Sequence, residues 1–99
     1  MTPEITGLPW YRSVEHYAQV RAVCADSESF HDTYQEWLRH AEQIEQFIRA
    51  QGQTPLRVYL DAADFTKWCH DRSLNVDGQA RAAFASEVAG RELLSRREN

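Results

Sequence analysis

The stretch Leu56-Arg57-Val58-Tyr59-Leu60-Asp61 decides the fold class, because here apolar residues alternate with polar ones along the chain. The apolar residues, at every second position, fall on one side of an extended backbone, whereas Arg57 and Tyr59 fall on the other. Pro55, just before the stretch, ends the helical pattern that precedes it. We therefore predict one short β-strand over 56–61, and the residue pattern supports no second one.

Two helices are predicted before this strand. The first covers about 14–25, with Ser13 as its N-cap. The second covers about 33–51, with Asp32 as its N-cap, and apolar residues recur along it every three or four positions while charged residues occupy the opposite face. Its apolar stripe consists of Tyr34, Trp37, Ala41, Ile44 and Ile48, widened by Leu38 and Phe47.

Two further helices are predicted after the strand, over about 62–72 and about 76–96, with Asp61 and Asn75 as their N-caps. Small residues are frequent along the last helix and permit another element to approach it closely. The predicted fold is mainly α, with four helices and one short strand in the order α-α-β-α-α. We expect the helix over 33–51 to pack against the last helix.

A lone strand needs a partner for its backbone donors and acceptors. Three partners are open: the N-terminal segment around Glu4-Ile5-Thr6, the same strand of a second subunit, or an edge strand of another protein. We expect a homodimer, because pairing Arg57–Asp61 with its symmetry mate satisfies the backbone. Residues 1–12 are predicted to be irregular, held in place if Trp10 or Tyr11 packs into the body of the protein.

The composition is that of a single globular domain over 1–99, with 42% hydrophobic and 26% charged residues. The formal net charge of −4 argues against a surface that binds nucleic-acid phosphates. The sequence contains no secretory signal pattern and no apolar run long enough to span a membrane. We therefore expect a cytoplasmic protein in which Cys24 and Cys69 are reduced.

No residue pattern predicts a catalytic or cofactor site. Cys69 and His70 are adjacent on a helix, so their side chains diverge, and Cys69 falls on the apolar face with Phe65. The glycines stand alone, so there is no phosphate-binding loop. We expect no catalytic residue and no cofactor, although a small enzyme with an unrecognised site stays open.

The histidines and carboxylates do not form a site-like pattern either. Glu28 and His31 have the spacing of one half of a di-iron motif, but the other half is missing. Glu36 and His40 are one turn apart on a solvent face, and no set of four ligands has site-like spacing, so no metal is expected. The acidic pairs are Glu42 with Glu45, read as a solvated helix face, and Asp61 with Asp64, read as a cap and a first-turn acid.

Aromatic residues are numerous, and most of them fall on apolar stripes that predict burial. The exceptions are Tyr59, on the polar side of the strand, and Tyr11, in the N-terminal segment. Tyrosine and arginine are frequent in the energetic centres of protein interfaces. We therefore predict that Arg57, Tyr59 and Tyr11 bind a partner.

The order strand, helix, turn, helix over 56–96 resembles that of ribbon-helix-helix repressors. The resemblance implies a dimer whose strands enter the major groove of DNA, with Arg57 and Tyr59 facing the bases. The chain departs from that pattern, because its strand has a single outward arginine, is followed by Asp61 and comes after 55 other residues. A DNA-binding regulator of this type is the alternative hypothesis.

Across nearly its whole length the chain resembles a family of small hypothetical proteins of proteobacteria. The resemblance is carried by Leu8-Pro9-Trp10-Tyr11-Arg12, Asp32-Thr33-Tyr34-Gln35-Glu36-Trp37-Leu38, the segment from Asp61 to Phe65 with Trp68-Cys69, and Ala80-Arg81 with Phe84-Ala85. It implies a bacterial protein that folds as a self-standing domain, and no activity. The leading hypothesis is a non-catalytic interaction or regulatory module that binds through the strand edge or the acidic helix face.

Overall fold

Two strands and four α-helices follow one another along residues 4–98, the part of the chain that the computed structural model describes. They are β1 (Ile5–Trp10), α1 (Val14–Val23), a 3-10 turn (Ser27–Ser29), α2 (Tyr34–Ala50), β2 (Thr54–Tyr59), α3 (Ala62–Asp71) and α4 (Gly78–Glu98). The four predicted helices are confirmed, and the strand predicted over 56–61 is present but begins and ends earlier, at Thr54–Tyr59. The predicted element order is wrong, because a second strand precedes them. None of the helices described is long and apolar enough to cross a lipid bilayer.

The second strand is β1, which lies parallel to β2 with Ile5 beside Thr54 and Trp10 beside Tyr59. The prediction that residues 1–12 are irregular is therefore wrong for Ile5–Trp10, and the first three residues lie outside the described part of the chain. This strand was not predicted because Pro9 lies within it, and proline disfavours a strand. The Thr54 N–H donates to the Glu4 carbonyl at 2.9 Å, and in a parallel pair such bonds alternate, so the amide position of Pro9 faces away from β2 and no ladder bond is lost.

β2 thus pairs with the N-terminal segment, which is one of the three partners that the sequence left open. The expected pairing of this strand with its symmetry mate is not what the structure shows. The reason is connectivity: the chain leaves β1, forms α1 and α2 and returns as β2, which is how parallel neighbours are joined within one chain. This pairing needs no second subunit.

The two long helices lie on opposite faces of the sheet. On one face, a Cβ added at Gly7 would lie 2.2 Å from the Ala85 carbonyl oxygen, so β1 and α4 are in backbone contact. On the other face, the ring centroids of Trp10 and the α2 residue Trp37 are 5.1 Å apart. The expectation that α2 packs against the last helix is therefore wrong, because the sheet separates them.

The centre of the core lies beyond the carboxyl ends of the strands, where α1 and α3 pack together. Its fully buried side chains are Val20, Leu60, Phe65 and Cys69. Helix caps direct the chain into this core: the predicted N-caps Ser13 and Asp61 are confirmed by hydrogen bonds from the amides of His16 and Asp64. The other two caps differ from the prediction. Thr33 and Asp77, rather than Asp32 and Asn75, accept bonds from first-turn amides.

Candidate functional site

Two arginines lie over two aromatic rings on the α2 side of the sheet. The guanidinium carbon of Arg12 is 4.1 Å from the centre of the Tyr59 ring, and that of Arg57 is 4.2 Å from the centre of the Trp10 ring. Strand register explains the arrangement: Trp10 lies beside Tyr59 and Leu8 beside Arg57, so these side chains share one face. We call this set, Trp10, Arg12, Arg57 and Tyr59, the arginine–aromatic strip.

Arg57 is held in the strip by a carboxylate from α2. Its Nε donates to Glu45 Oε2 at 2.8 Å and its Nη2 to Oε1 at 3.0 Å, a bidentate pair. Glu45 is only 5% exposed, so the prediction of a solvated Glu42–Glu45 face is wrong for Glu45. The hydrogen bonds from Arg57 lower the pKa of the Glu45 carboxyl, and Arg49 adds a third charge 3.8 Å from Oε1.

His16 joins the two loops that follow the strands. Its Nδ1 accepts from the Arg12 backbone N–H at 2.8 Å, and its Nε2 is bonded to the Leu60 carbonyl. A carbonyl only accepts, so Nε2 is the donor in this bond, whereas Nδ1 is an acceptor. Arg12, His16, Tyr59 and Asp61 line an open cavity of about 270 Å³ at the carboxyl end of the sheet.

β2 is an edge strand, because the sheet in the described part of the chain has two strands. The Thr54 N–H points toward β1, where it donates to the Glu4 carbonyl, and N–H groups of successive residues point to opposite sides of a strand. The N–H groups of Arg57 and Tyr59 therefore point away from β1. Pro55 lies at an outward position and carries no N–H. The Arg57 side chain is 42% exposed and Tyr59 is 39% exposed, so a segment placed along this edge would contact both.

The surface beside this edge differs in charge from the rest of the molecule. Arg12, Arg49 and Arg57 gather there, and the carboxylates among them are Glu45 and Asp61. These five side chains sum to a formal charge of +1, on a chain whose formal net charge is −4, so the edge is slightly positive on an acidic protein. Such a region attracts anionic partners.

Tyr11 is not part of this surface. It is 3% exposed, its ring centroid lies 4.7 Å from that of Trp37, and its backbone carbonyl accepts from the Tyr34 hydroxyl at 3.2 Å. We expected Tyr11 to be exposed and to bind a partner. Its predicted exposure is wrong, because the chain turns inward directly after β1. Burial raises the pKa of its hydroxyl. The expectation that Trp10 or Tyr11 holds the N-terminal segment in place is confirmed by both residues.

The residue pattern did not predict the structural role of Glu45 or the contributions of Trp10 and Arg12. A signal for Glu45 exists, because it lies four residues after Ala41 and three before Ile48, both of which are buried. Arg12 has no such signal, since the turn after β1 places it over Tyr59. Recognising the pair of Trp10 with Arg57 requires the strand register.

The other candidate groups do not form a second site of this kind. Cys69 is fully buried and His70 is exposed, and burial raises the pKa of the Cys69 thiol. Burial also raises the pKa of Cys24. Within residues 4–98, no three His, Cys, Asp or Glu side chains lie close enough together to hold a metal ion.

The arrangement differs from that of a ribbon-helix-helix protein. In that family, two strands from two chains form a ribbon that enters the major groove of DNA. Here β2 pairs in parallel with β1, and α2 covers part of the Arg57 face through Glu45. The alternative hypothesis therefore finds no support in this fold.

No protein-family model matches the chain, and neither a curated protein nor a solved structure matches it. The resemblance to small proteobacterial proteins stays a prediction.

Proposed function

We propose that the protein is a non-catalytic module that binds an extended, acidic segment of a partner protein along the outer edge of β2. The observation that carries the proposal is the combination of outward-pointing N–H groups at Arg57 and Tyr59 with arginines beside them. The free, buried cysteines Cys24 and Cys69 are typical of a reducing compartment such as the cytoplasm, where we place this interaction.

The backbone of β2 supports strand addition. A partner strand accepts from the N–H groups of Arg57 and Tyr59 and donates to carbonyls on the same edge, which supplies affinity without reference to its side chains. Pro55 removes one donor and limits the docking edge to the carboxyl half of the strand. The side chains on this edge are held by neighbouring residues, because Glu45 binds Arg57 and Arg12 lies over the Tyr59 ring.

Charge selects the partner. Arg12 and Arg49 are exposed on either side of the Arg57–Glu45 pair, so carboxylates at alternate positions of an added strand would meet guanidinium groups. Guanidinium groups bind carboxylates with two parallel hydrogen bonds, which adds geometric selectivity. An acidic extended segment fits this edge better than a neutral one.

A second copy of the chain is the competing occupant. Antiparallel pairing of two β2 edges about Arg57 would place this arginine opposite its own copy, and like charges directly across a strand pair are destabilising. We expected a homodimer because β2 needed a strand to pair with, and β1 of the same chain is that strand. The charge of the edge therefore favours a different, acidic protein.

Selection from a library of random peptides displayed on phage tests the proposal. We expect enriched peptides to carry Asp or Glu at alternate positions and to shift the backbone amide signals of Arg57 and Tyr59 in NMR spectra of the full chain. Arg12→Gln and Arg49→Gln should each weaken binding by about threefold to tenfold, as charges at an interface rim do. Arg39→Gln is the control, since it removes an exposed arginine elsewhere on α2.

Arg57 itself is not substituted in this test, because its loss would leave the buried carboxylate of Glu45 without its main partner. Three results would contradict the proposal: enriched peptides without acidic residues, binding that shifts amides on another face, and equal weakening by the Arg39 control. A solution mass of twice 11.5 kDa with the β2 amides protected from hydrogen exchange would assign the edge to a second copy instead.

A further inference from the structure

A second cavity, away from the β2 edge, lies between β1, α2 and the segment after the 3-10 turn. It has a volume of about 200 Å³, and its lining includes the exposed residue His40. Five aromatic side chains contribute to its wall, namely Trp10, Tyr11, Tyr17, Phe30 and Trp37. An apolar cavity of about 150 Å³ is large enough to hold a benzene molecule, so this one has room for a single aromatic ring.

The walls of this aromatic cavity are held in place before any ligand binds. Edge-to-face contacts join the rings, with centroid distances of 4.7 Å for Tyr11 and Trp37 and 5.5 Å for Tyr17 and Phe30. The Tyr17 hydroxyl donates to the His31 carbonyl at 2.6 Å, which ties the helix to the rim. A cavity whose walls do not have to reorganise loses little binding free energy to ordering.

Basic side chains supply the polar part of the lining. Arg81 lies among the aromatic residues, with its charge balanced by a bidentate pair to Asp26 at 2.8 and 3.0 Å. His31 and His40 stand at the rim with ring centroids 5.2 Å apart. Acidic side chains are absent from the lining within the described residues, so the cavity combines aromatic walls with imidazole N–H donors.

We propose that this cavity binds a small aromatic carboxylate with a single ring. The ring lies among the aromatic walls, and the carboxylate lies at the rim, where His31 and His40 donate hydrogen bonds to its oxygens. Aromatic contacts account for the ring, and charge-assisted hydrogen bonds favour the anion over a neutral analogue. β2 contributes no residue to this cavity, and the cavity shares Trp10 with the arginine–aromatic strip, so the signal of Trp37 distinguishes the two sites.

NMR titration of the isotopically labelled full chain tests it, with benzoate as the probe. Benzyl alcohol and benzylamine serve as neutral and cationic analogues of similar size. We expect benzoate to shift the indole N–H signals of Trp10 and Trp37 and to leave that of Trp68, which lies outside the cavity, unchanged. Benzoate should bind at least about tenfold more tightly than either analogue, the lower end of what one hydrogen bond to a charged group contributes.

Two variants, with one control, test the site of the ring and the site of the carboxylate separately. Ala41→Leu places a larger side chain in the cavity wall and should abolish binding, whereas Ala22→Leu, at an exposed position of α1, should leave binding unchanged. His31→Gln together with His40→Gln should reduce the affinity for benzoate and not that for benzyl alcohol. If Ala41→Leu does not fold, intermolecular NOEs between benzoate and the rings of Phe30 and Trp37 in the unsubstituted chain decide.

Each contrary result overturns the proposal in a defined way. Unchanged Trp10 and Trp37 signals at millimolar benzoate would show that the cavity does not take an aromatic ring. Equal or tighter binding of benzylamine would show that the rim does not select an anion. Retention of binding by the Ala41→Leu variant, or absence of the NOEs, would place the ligand elsewhere.

Discussion

At the scale of single residues, two arginine–carboxylate pairs hold distant segments together. Arg57 of β2 binds Glu45 of α2, and Arg81 of α4 binds Asp26 after α1. Asp26 also accepts from the Gly78 amide at 3.0 Å, which fixes the first turn of α4. Removing one partner of such a pair leaves a charge without compensation, which costs more than the intact pair contributes.

Asp26 makes the stability of the protein sensitive to acid. Its hydrogen bond from Arg81 lowers the pKa of the carboxyl from 3.8 to about 2. A depressed pKa contributes stability above the unfolded value, and that contribution is lost as the pH falls through the folded value. The pair should therefore contribute about 2 kcal/mol at neutral pH, and this contribution disappears between about pH 4 and pH 2.

Urea denaturation of the unsubstituted chain and of Asp26→Asn over a pH series checks this expectation. The difference in free energy of unfolding should be largest at neutral pH and should close as the pH approaches 2. Asp71→Asn is the control, because this exposed carboxyl pairs only with Lys67 on the surface and should change stability much less. A difference that stays constant over the acid range would contradict the role of ionised Asp26.

At the scale of elements, the contact between β1 and α4 depends on small residues. Gly7 faces Ala85 and Ala89, and this allows the backbones to approach more closely than larger side chains permit. The alanine-rich face of α4 is explained by the same contact, since Ala85 and Ala89 are buried while Leu94 is exposed. Close packing here replaces the bulky apolar stripe that long helices commonly use.

Two glycine substitutions should therefore have opposite effects on stability. Gly7→Ala would bring its Cβ to 2.2 Å from the Ala85 carbonyl oxygen, and the forced separation of strand and helix should cost about 3 kcal/mol. Gly90 lies in α4, the helix that contains Ala85, and a Cβ added there has open space around it. Gly90→Ala should therefore stabilise the protein by about 0.5–1 kcal/mol. Thermal or urea unfolding measures both, and equal effects would contradict the close contact at Gly7.

At the scale of the whole molecule, β1 connects the layers. It pairs with β2, packs against α4 on one face and places Trp10 against α2 on the other. The residues that follow it continue into the core, because Tyr11 is buried among aromatic rings. A chain without this strand would leave both an unpaired β2 and an uncovered α4.

Removal of residues 1–12 should therefore abolish cooperative folding. We expect the chain 13–99 to show no cooperative unfolding transition and poorly dispersed NMR signals. A synthetic peptide of residues 1–12 should restore both in a concentration-dependent manner, whereas the same peptide with Gly7→Val should not, since its side chain would meet Ala85. Cooperative unfolding of the truncated chain alone would contradict the central position of β1.

The sequence by itself determined the local elements. Helical periodicity and the caps at Ser13 and Asp61 depend on neighbours within one or two turns, so the residue pattern contains them. It also identified Arg57 and Tyr59 as candidate site residues. Their place on an exposed strand edge agrees with the alternation that suggested them.

Only the tertiary structure decided how these elements combine. Residues 5–10 read as irregular because Gly7 and Pro9 disfavour a strand locally, yet both fit when β2 lies on one side and α4 packs on a face. The pairing of Glu45 with Arg57, a residue on another element, was likewise decided by the tertiary structure. Pairing across residues 5 and 54 is a long-range contact, and its free energy depends on packing and charge partners that no local pattern contains.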